Sequence, residues 1–150
     1  MIYNAYRAKD DYNLVEEYFE LNLNEAIVPF STTIIPIALP LITLLKKGSL
    51  EKVGDQSIKH STLTLSGQYM QACNFEVNEP TKLVGIALHP SALYKLTGQN
   101  MSLLTNKHIT LESISKQLTT ALLPLFKCDA NKKTTLESFQ VTLKELPKIS

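Results

Sequence analysis

The stretch Gly85-Ile86-Ala87-Leu88-His89-Pro90-Ser91-Ala92-Leu93-Tyr94-Lys95-Leu96-Thr97-Gly98 constrains the fold more than any other part of this chain. An extended apolar run meets Pro90, whose missing N–H is harmless in the first turn of a helix. The helix that follows ends at Gly98, the residue type that closes helices without steric cost. Leu88, Leu93 and Leu96 then fall on one core, so a strand must lie directly beside a short helix near 90–97.

Most of what precedes this unit reads as short strands. Ile2-Tyr3-Asn4-Ala5-Tyr6 alternates as a half-buried strand does, and Asp10-Asp11 mark a turn or helix start before Leu14, Val15, Tyr18 and Phe19. Ser31-Thr32-Thr33-Ile34-Ile35 is rich in β-branched residues. Pro36 and Pro40 cannot donate to a sheet ladder, which leaves Leu41 to Leu45 as the secure strand there. Residues 48–60 turn polar around Gly54-Asp55, and Ser61 to Gly67 has a period of two, with Leu63 and Leu65 on one side and Thr62 and Thr64 on the other. Tyr69 to Phe75 and Leu83 to Leu88 are two more extended segments. Many short strands at short spacing imply a sandwich or barrel.

After His89-Pro90 the period changes, and the segment that follows Thr110 is helical in its spacing. Leu111, Ile114, Leu118, Leu122 and Leu125 form a helical apolar stripe from Glu112 to Leu125. Thr134-Thr135-Leu136-Glu137 has the form of a capping box and predicts the start of a second helix, which Pro147 ends. The expected fold is α+β, mainly β: a single domain over 1–150, with a barrel over 1–105 and a helical hairpin over 106–150.

The chemistry is bounded by what the sequence lacks. Its five glycines include no pair two apart, so neither the dinucleotide fingerprint nor the P-loop can be written. No serine sits in G-x-S-x-G, and His60, His89 and His108 form no ligand-spaced pair. Asp10-Asp11 and Glu16-Glu17 are neighbours whose side chains diverge, and they read as solvated charges. The reading is non-enzymatic, with no metal site and no cofactor. A net charge of +1 provides no field for gathering phosphates, so the chain by itself is not expected to bind DNA specifically. Cys73 and Cys128 stand far apart and suggest reduced thiols in the cytoplasm. The apolar run from Ile34 to Leu45 is interrupted by prolines and is shorter than the roughly 20 residues a membrane helix needs.

The order Gly-Ile-x-Leu-x-Pro-x-x-Leu-Tyr-x-Leu-x-Gly at 85–98 resembles the N-terminal sensor domain of one branch of AraC-type bacterial transcription regulators. Tyr6 with Leu14-Val15-Glu16-Glu17-Tyr18-Phe19, Ile34-Ile35-Pro36 with Leu41-Ile42, Gly67-Gln68, and Asn106 to Leu111 are similar to further elements of that domain. Where members often have Asp-Gly or Asn-Gly after the first proline, Ile37-Ala38 stands here. The resemblance implies a cupin-like β-barrel or jelly roll followed by a helical pair. It also implies a ligand-sensing or dimerisation role, with DNA contacted only through a helix-turn-helix part outside this chain. The alternative is a stand-alone cupin-type binding protein or enzyme.

Two groups of residues are candidates for such a role. Tyr69, Gln71, Cys73 and Phe75 share one strand face, and two rings with an amide and a thiol suit a mostly apolar pocket for a small-molecule effector. Leu136, Phe139, Leu143 and Leu146 are spaced three, four and three apart, a narrow stripe like a coiled-coil seam. That stripe serves either a homodimer or interdomain contact, or packing against the preceding helix within one subunit.

Overall fold

The computed structural model describes residues 2–7, 14–22, 30–34, 39–47, 50–52, 56–58, 63–67, 73–77, 80–100, 108–127 and 132–146. Six strands form one antiparallel sheet: β1 (Ile2–Arg7), β2 (Val15–Asn22), β4 (Leu41–Lys47), β7 (Leu63–Ser66), β9 (Lys82–Leu88) and β10 (His108–Thr110), in the spatial order β1-β2-β9-β4-β7-β10. Four others form a second antiparallel sheet: β3 (Phe30–Ile34), β5 (Leu50–Lys52), β6 (Gln56–Ile58) and β8 (Cys73–Val77), in the order β3-β8-β5-β6. Three α-helices, α1 (Pro90–Thr97), α2 (Lys116–Lys127) and α3 (Lys132–Glu145), and one 3-10 turn complete the described elements. The fold is thus α+β and mainly sheet, as the strand and helix periods imply.

The β9 to α1 unit forms as its sequence dictates. Pro90 occupies the first turn, and Gly98 closes the helix at φ 76°, donating its N–H to the Tyr94 carbonyl at 2.7 Å. An L side chain resists that left-handed backbone. The junction is held to the sheet by two backbone bonds, Leu88 N–H to the Pro40 carbonyl at 2.9 Å and His89 N–H to the Leu14 carbonyl at 3.0 Å.

The helices begin where local capping chemistry places them, which differs from the apolar stripe alone. A single 3-10 turn covers Leu111–Ser113, and Ser115 then accepts the Leu118 N–H at 3.1 Å through its hydroxyl, so α2 starts at Lys116. The continuous helix expected from Glu112 is therefore broken in two, and its buried positions are Leu118, Leu122 and Phe126, four apart, with Leu125 only partly buried. Helix α3 starts at Lys132, so Thr134 lies inside it and cannot act as the cap that Thr-Thr-Leu-Glu suggested. The strand β10 at 108–110 pairs with β7, so the sheet extends past residue 105 to Thr110. The polar stretch around residues 48–60 contains the paired strands β5 and β6.

One face of the six-stranded sheet packs under the helices. Val15, Tyr18, Ile42, Leu44, Leu63, Leu65, Val84, Ile86 and Leu88 join Leu93 of α1, Leu111, Leu118, Leu122 and Phe126 around α2, and Phe139 and Leu143 of α3 in one buried cluster. Helix α3 lies against β1 and β2. Phe139 ties the layers together, with its ring centroid 5.9 Å from Tyr18 on the sheet and 4.6 Å from Phe126 on α2.

Candidate functional site

The opposite face of the same sheet is buried too, and its composition is different. Register places Phe19 beside Gly85, Gly85 beside Thr43, and Thr43 beside Thr64, a row running across β2, β9, β4 and β7. Two residues along, Leu21, Leu83 and Leu45 form a second row, and Glu17, Ala87, Leu41 and Ser66 form a third. Phe19, Leu45, Leu83 and Ala87 are buried, as are the polar residues Thr43, Thr64 and Ser66. None of these seven belongs to the helix-side cluster. The buried face thus mixes hydroxyl groups with hydrocarbon, unlike the apolar helix-side cluster.

Gly85 shapes the centre of this face. A Cβ at that position would lie 2.6 Å from Phe19 Cζ, 2.8 Å from Thr43 Cγ2 and 2.9 Å from the Ile42 carbonyl oxygen. Only glycine lets the Phe19 ring lie against the β9 backbone. The Thr43 methyl group is turned toward Gly85, and Thr43 Oγ1 is buried without a hydrogen-bond partner. Threonine 43 is only 4% exposed. Water therefore does not reach that hydroxyl from the surface.

The residues singled out from sequence fall elsewhere. Tyr69 and Gln71 lie outside the described residues, and the strand expected over 69–75 is described over Cys73–Val77. Cys73 and Phe75 sit two apart on β8 of the second sheet, opposite Ile34 and Thr32 of β3. In the C-terminal stripe, Phe139 and Leu143 are 0% exposed and belong to the helix-side core, Leu146 is partly buried against it, and Leu136 lies in α3. A side chain with no exposed surface in one chain offers none to a second copy, so at Phe139 and Leu143 the stripe packs within the subunit. Among the described side chains of α3, Val141 is the exposed large hydrophobic.

Histidine 89 has a structural role that its isolation in the sequence concealed. Its Nδ1 accepts the Ser91 N–H at 3.1 Å and lies 2.8 Å from Ser91 Oγ, so the ring caps α1. The His-Pro-Ser order before a helical period was the available signal. His60 lies outside the described residues and His108 is on β10. Among the described residues no group of three or more His, Cys, Asp or Glu is placed to hold a metal ion. An open cleft of about 370 Å³ lies along α2, lined by Glu112, Lys116, Thr119, Thr120, Leu123 and Pro124. Among the described residues, no helix is long and apolar enough to cross a membrane.

These features define an α+β domain whose larger sheet carries helices on one face and a buried mixed face on the other. Residues 12–110 match the family model described as a domain of unknown function (DUF6597), and the chain belongs to that family. The match ends at Thr110, the last residue of β10, so it spans the strands from β2 onward and α1, and stops short of α2 and α3. A comparison with the curated proteins found no match.

Proposed function

We propose that this chain is the ligand-sensing and dimerisation module of an AraC-type transcription regulator, non-catalytic and cytoplasmic, in which the two antiparallel sheets close as a cupin-like barrel around a small-molecule effector. The observation that carries this reading is the second face of the six-stranded sheet, where Thr43, Thr64 and Ser66 are buried among Phe19, Leu45, Leu83 and Ala87. Ser66 already has a partner within the chain and Thr43 Oγ1 has none, and a buried face that mixes hydroxyl groups with an aromatic ring and aliphatic side chains suits recognition of a small molecule.

Strand β2 gives such a site a route to the helices. Phe19 stands on the mixed face and its neighbour Tyr18 stands on the other, stacked on Phe139 of α3. A ligand that binds differently to two positions of β2 shifts the population of α3 positions by that difference in affinity. The output is homodimer geometry, read by a helix-turn-helix part outside this chain.

The test is to fuse the chain to a DNA-binding domain that represses a reporter only as a dimer. Repression well above that of the DNA-binding domain alone, at equal expression, is the expected result. Repression no stronger than that control, with the fusion folded, overturns the reading.

A further inference from the structure

We infer that the chain forms its homodimer by pairing β1 with β1 of a second copy, antiparallel about a twofold axis at Ala5, so that the six-stranded sheet runs on from one copy into the other. This inference rests on the dimerisation role proposed above and names its surface. The two edges of the sheet are β1 and β10. Strand β10 has three residues and offers little to another chain, whereas β1 pairs with β2 in unbroken register over six residues, Ile2 to Arg7. Sheet edges are ordinarily blunted by shortness, proline, lysine or a bulge. Ile2-Tyr3-Asn4-Ala5-Tyr6-Arg7 contains no proline, lysine or glycine, and among the described residues no strand pairs with its outer side.

Backbone direction decides which residues meet the second copy. His89 N–H donates to the Leu14 carbonyl and Leu88 N–H to the Pro40 carbonyl, so His89 bonds toward β2 and Leu88 toward β4. Direction alternates along a strand, so Ala87, Gly85 and Leu83 also bond toward β2, where they meet Glu17, Phe19 and Leu21. Tyr18, Glu20 and Asn22 are left to bond with Tyr6, Asn4 and Ile2 of β1. The N–H and C=O groups of Tyr3, Ala5 and Arg7 therefore point away from the sheet. Centring the twofold on Ala5 uses all three: Ala5 pairs with Ala5, and Tyr3 of each copy with Arg7 of the other, about six hydrogen bonds in all. Centring it on Asn4 would pair Tyr3 with Ala5 and leave Arg7 without a partner within β1. The Ala5 register also sets an aromatic residue opposite a cation, and no like charges opposite each other. The helices permit the joint. Helix α3 lies against β1 and β2, so the two copies of α3 come side by side about 10 Å apart, two strand spacings and close to a helix packing distance.

The experiment measures mass in solution by sedimentation, for the whole chain and for Ala5→Pro, which removes an outward N–H and none of the bonds to β2. The wild-type chain is expected to be a dimer, and Ala5→Pro a folded chain whose self-association is roughly ten- to a hundredfold weaker. Disulfide trapping under mild oxidation then reads the register, in a Cys73→Ser, Cys128→Ser background. Two copies of Ala5→Cys have Cα atoms about 5.5 Å apart, within disulfide reach, and are expected to join covalently. Two copies of Asn4→Cys are about 8 Å apart and are expected to stay separate. A dimer of unchanged affinity in folded Ala5→Pro overturns the β1 joint and leaves the dimerisation role standing. Trapping through Asn4→Cys in place of Ala5→Cys overturns the pairing at Ala5. Should Ala5→Pro not fold, trapping decides: a dimeric chain that gives no covalent product through Ala5→Cys overturns the inference. A wild-type chain that is a monomer at every concentration measured overturns both the inference and the dimerisation role.

Discussion

Tyr18 and Phe139 stack with ring centroids 5.9 Å apart and planes 28° from parallel, joining strand β2 to the C-terminal helix. The helix is thereby part of the domain core, and the phenyl ring of Phe139 also meets Phe126 of α2. Truncation of a buried phenylalanine commonly costs about 3–5 kcal/mol. Phe139→Ala is expected to fall in that range by urea denaturation. Replacing Phe139 and Leu143 together by Asp should leave an unfolded chain by circular dichroism, because both positions are fully buried and a carboxylate there has no counter-ion. A folded monomer from the double variant would place the stripe at a subunit contact instead.

Gly85→Ala tests the close approach of Phe19 to the β9 backbone. The added methyl meets the Ile42 carbonyl oxygen, which belongs to the sheet and cannot swing aside, as well as Phe19 Cζ and Thr43 Cγ2. Overpacking of this kind costs about 1–3 kcal/mol. Phe19→Leu shortens the side chain at the point of the clash. In the Gly85→Ala background it should recover part of the loss, a coupling readable in a double-mutant cycle. Strict additivity of the two changes would show that the ring is not what limits the position.

What the sequence disclosed depended on how local the cause was. The strand, proline, helix and glycine of 85–98 were legible because Pro90 and Gly98 act on their own backbone. The alternation of Leu63, Thr64 and Leu65 located β7 but could not tell that the threonine side is also covered, since a period of two records direction and not what lies opposite. Thr43 was therefore passed over as a site residue: nothing in Leu41-Ile42-Thr43-Leu44-Leu45 says that its hydroxyl lacks a partner, which depends on β7 and β9. The start of α2 was misplaced for a related reason, because Ser115 caps the helix in the middle of an apolar stripe that continues on both sides of it.

His89→Ala should remove the acceptor for the Ser91 N–H at the start of α1. Loss of an N-cap acceptor costs about 0.5–2 kcal/mol. His89→Asp offers a carboxylate in the same place, favourable to the positive end of the helix, and is expected to restore most of that stability. Thermal denaturation of the two variants settles the point: equal melting temperatures for His89→Ala and the wild-type chain would show that the imidazole is not a cap in solution.

Pro124 lies inside α2, where a proline cannot donate to the carbonyl four residues earlier, that of Thr120. Both residues are on the exposed side of the helix, so solvent can reach that carbonyl, and the buried line Leu118, Leu122 and Phe126 passes along the other side. The proline thus costs helix stability without contributing to the core. Pro124→Ala restores the backbone bond and removes the ring. It is expected to raise stability by up to about 3 kcal/mol, the difference between proline and alanine inside a helix. A higher denaturation midpoint at unchanged slope is the expected observation. A lower midpoint would mean that the ring is held by contacts along the cleft with Glu112, Lys116 and Leu123, and that its rigidity is part of how this side of α2 is shaped.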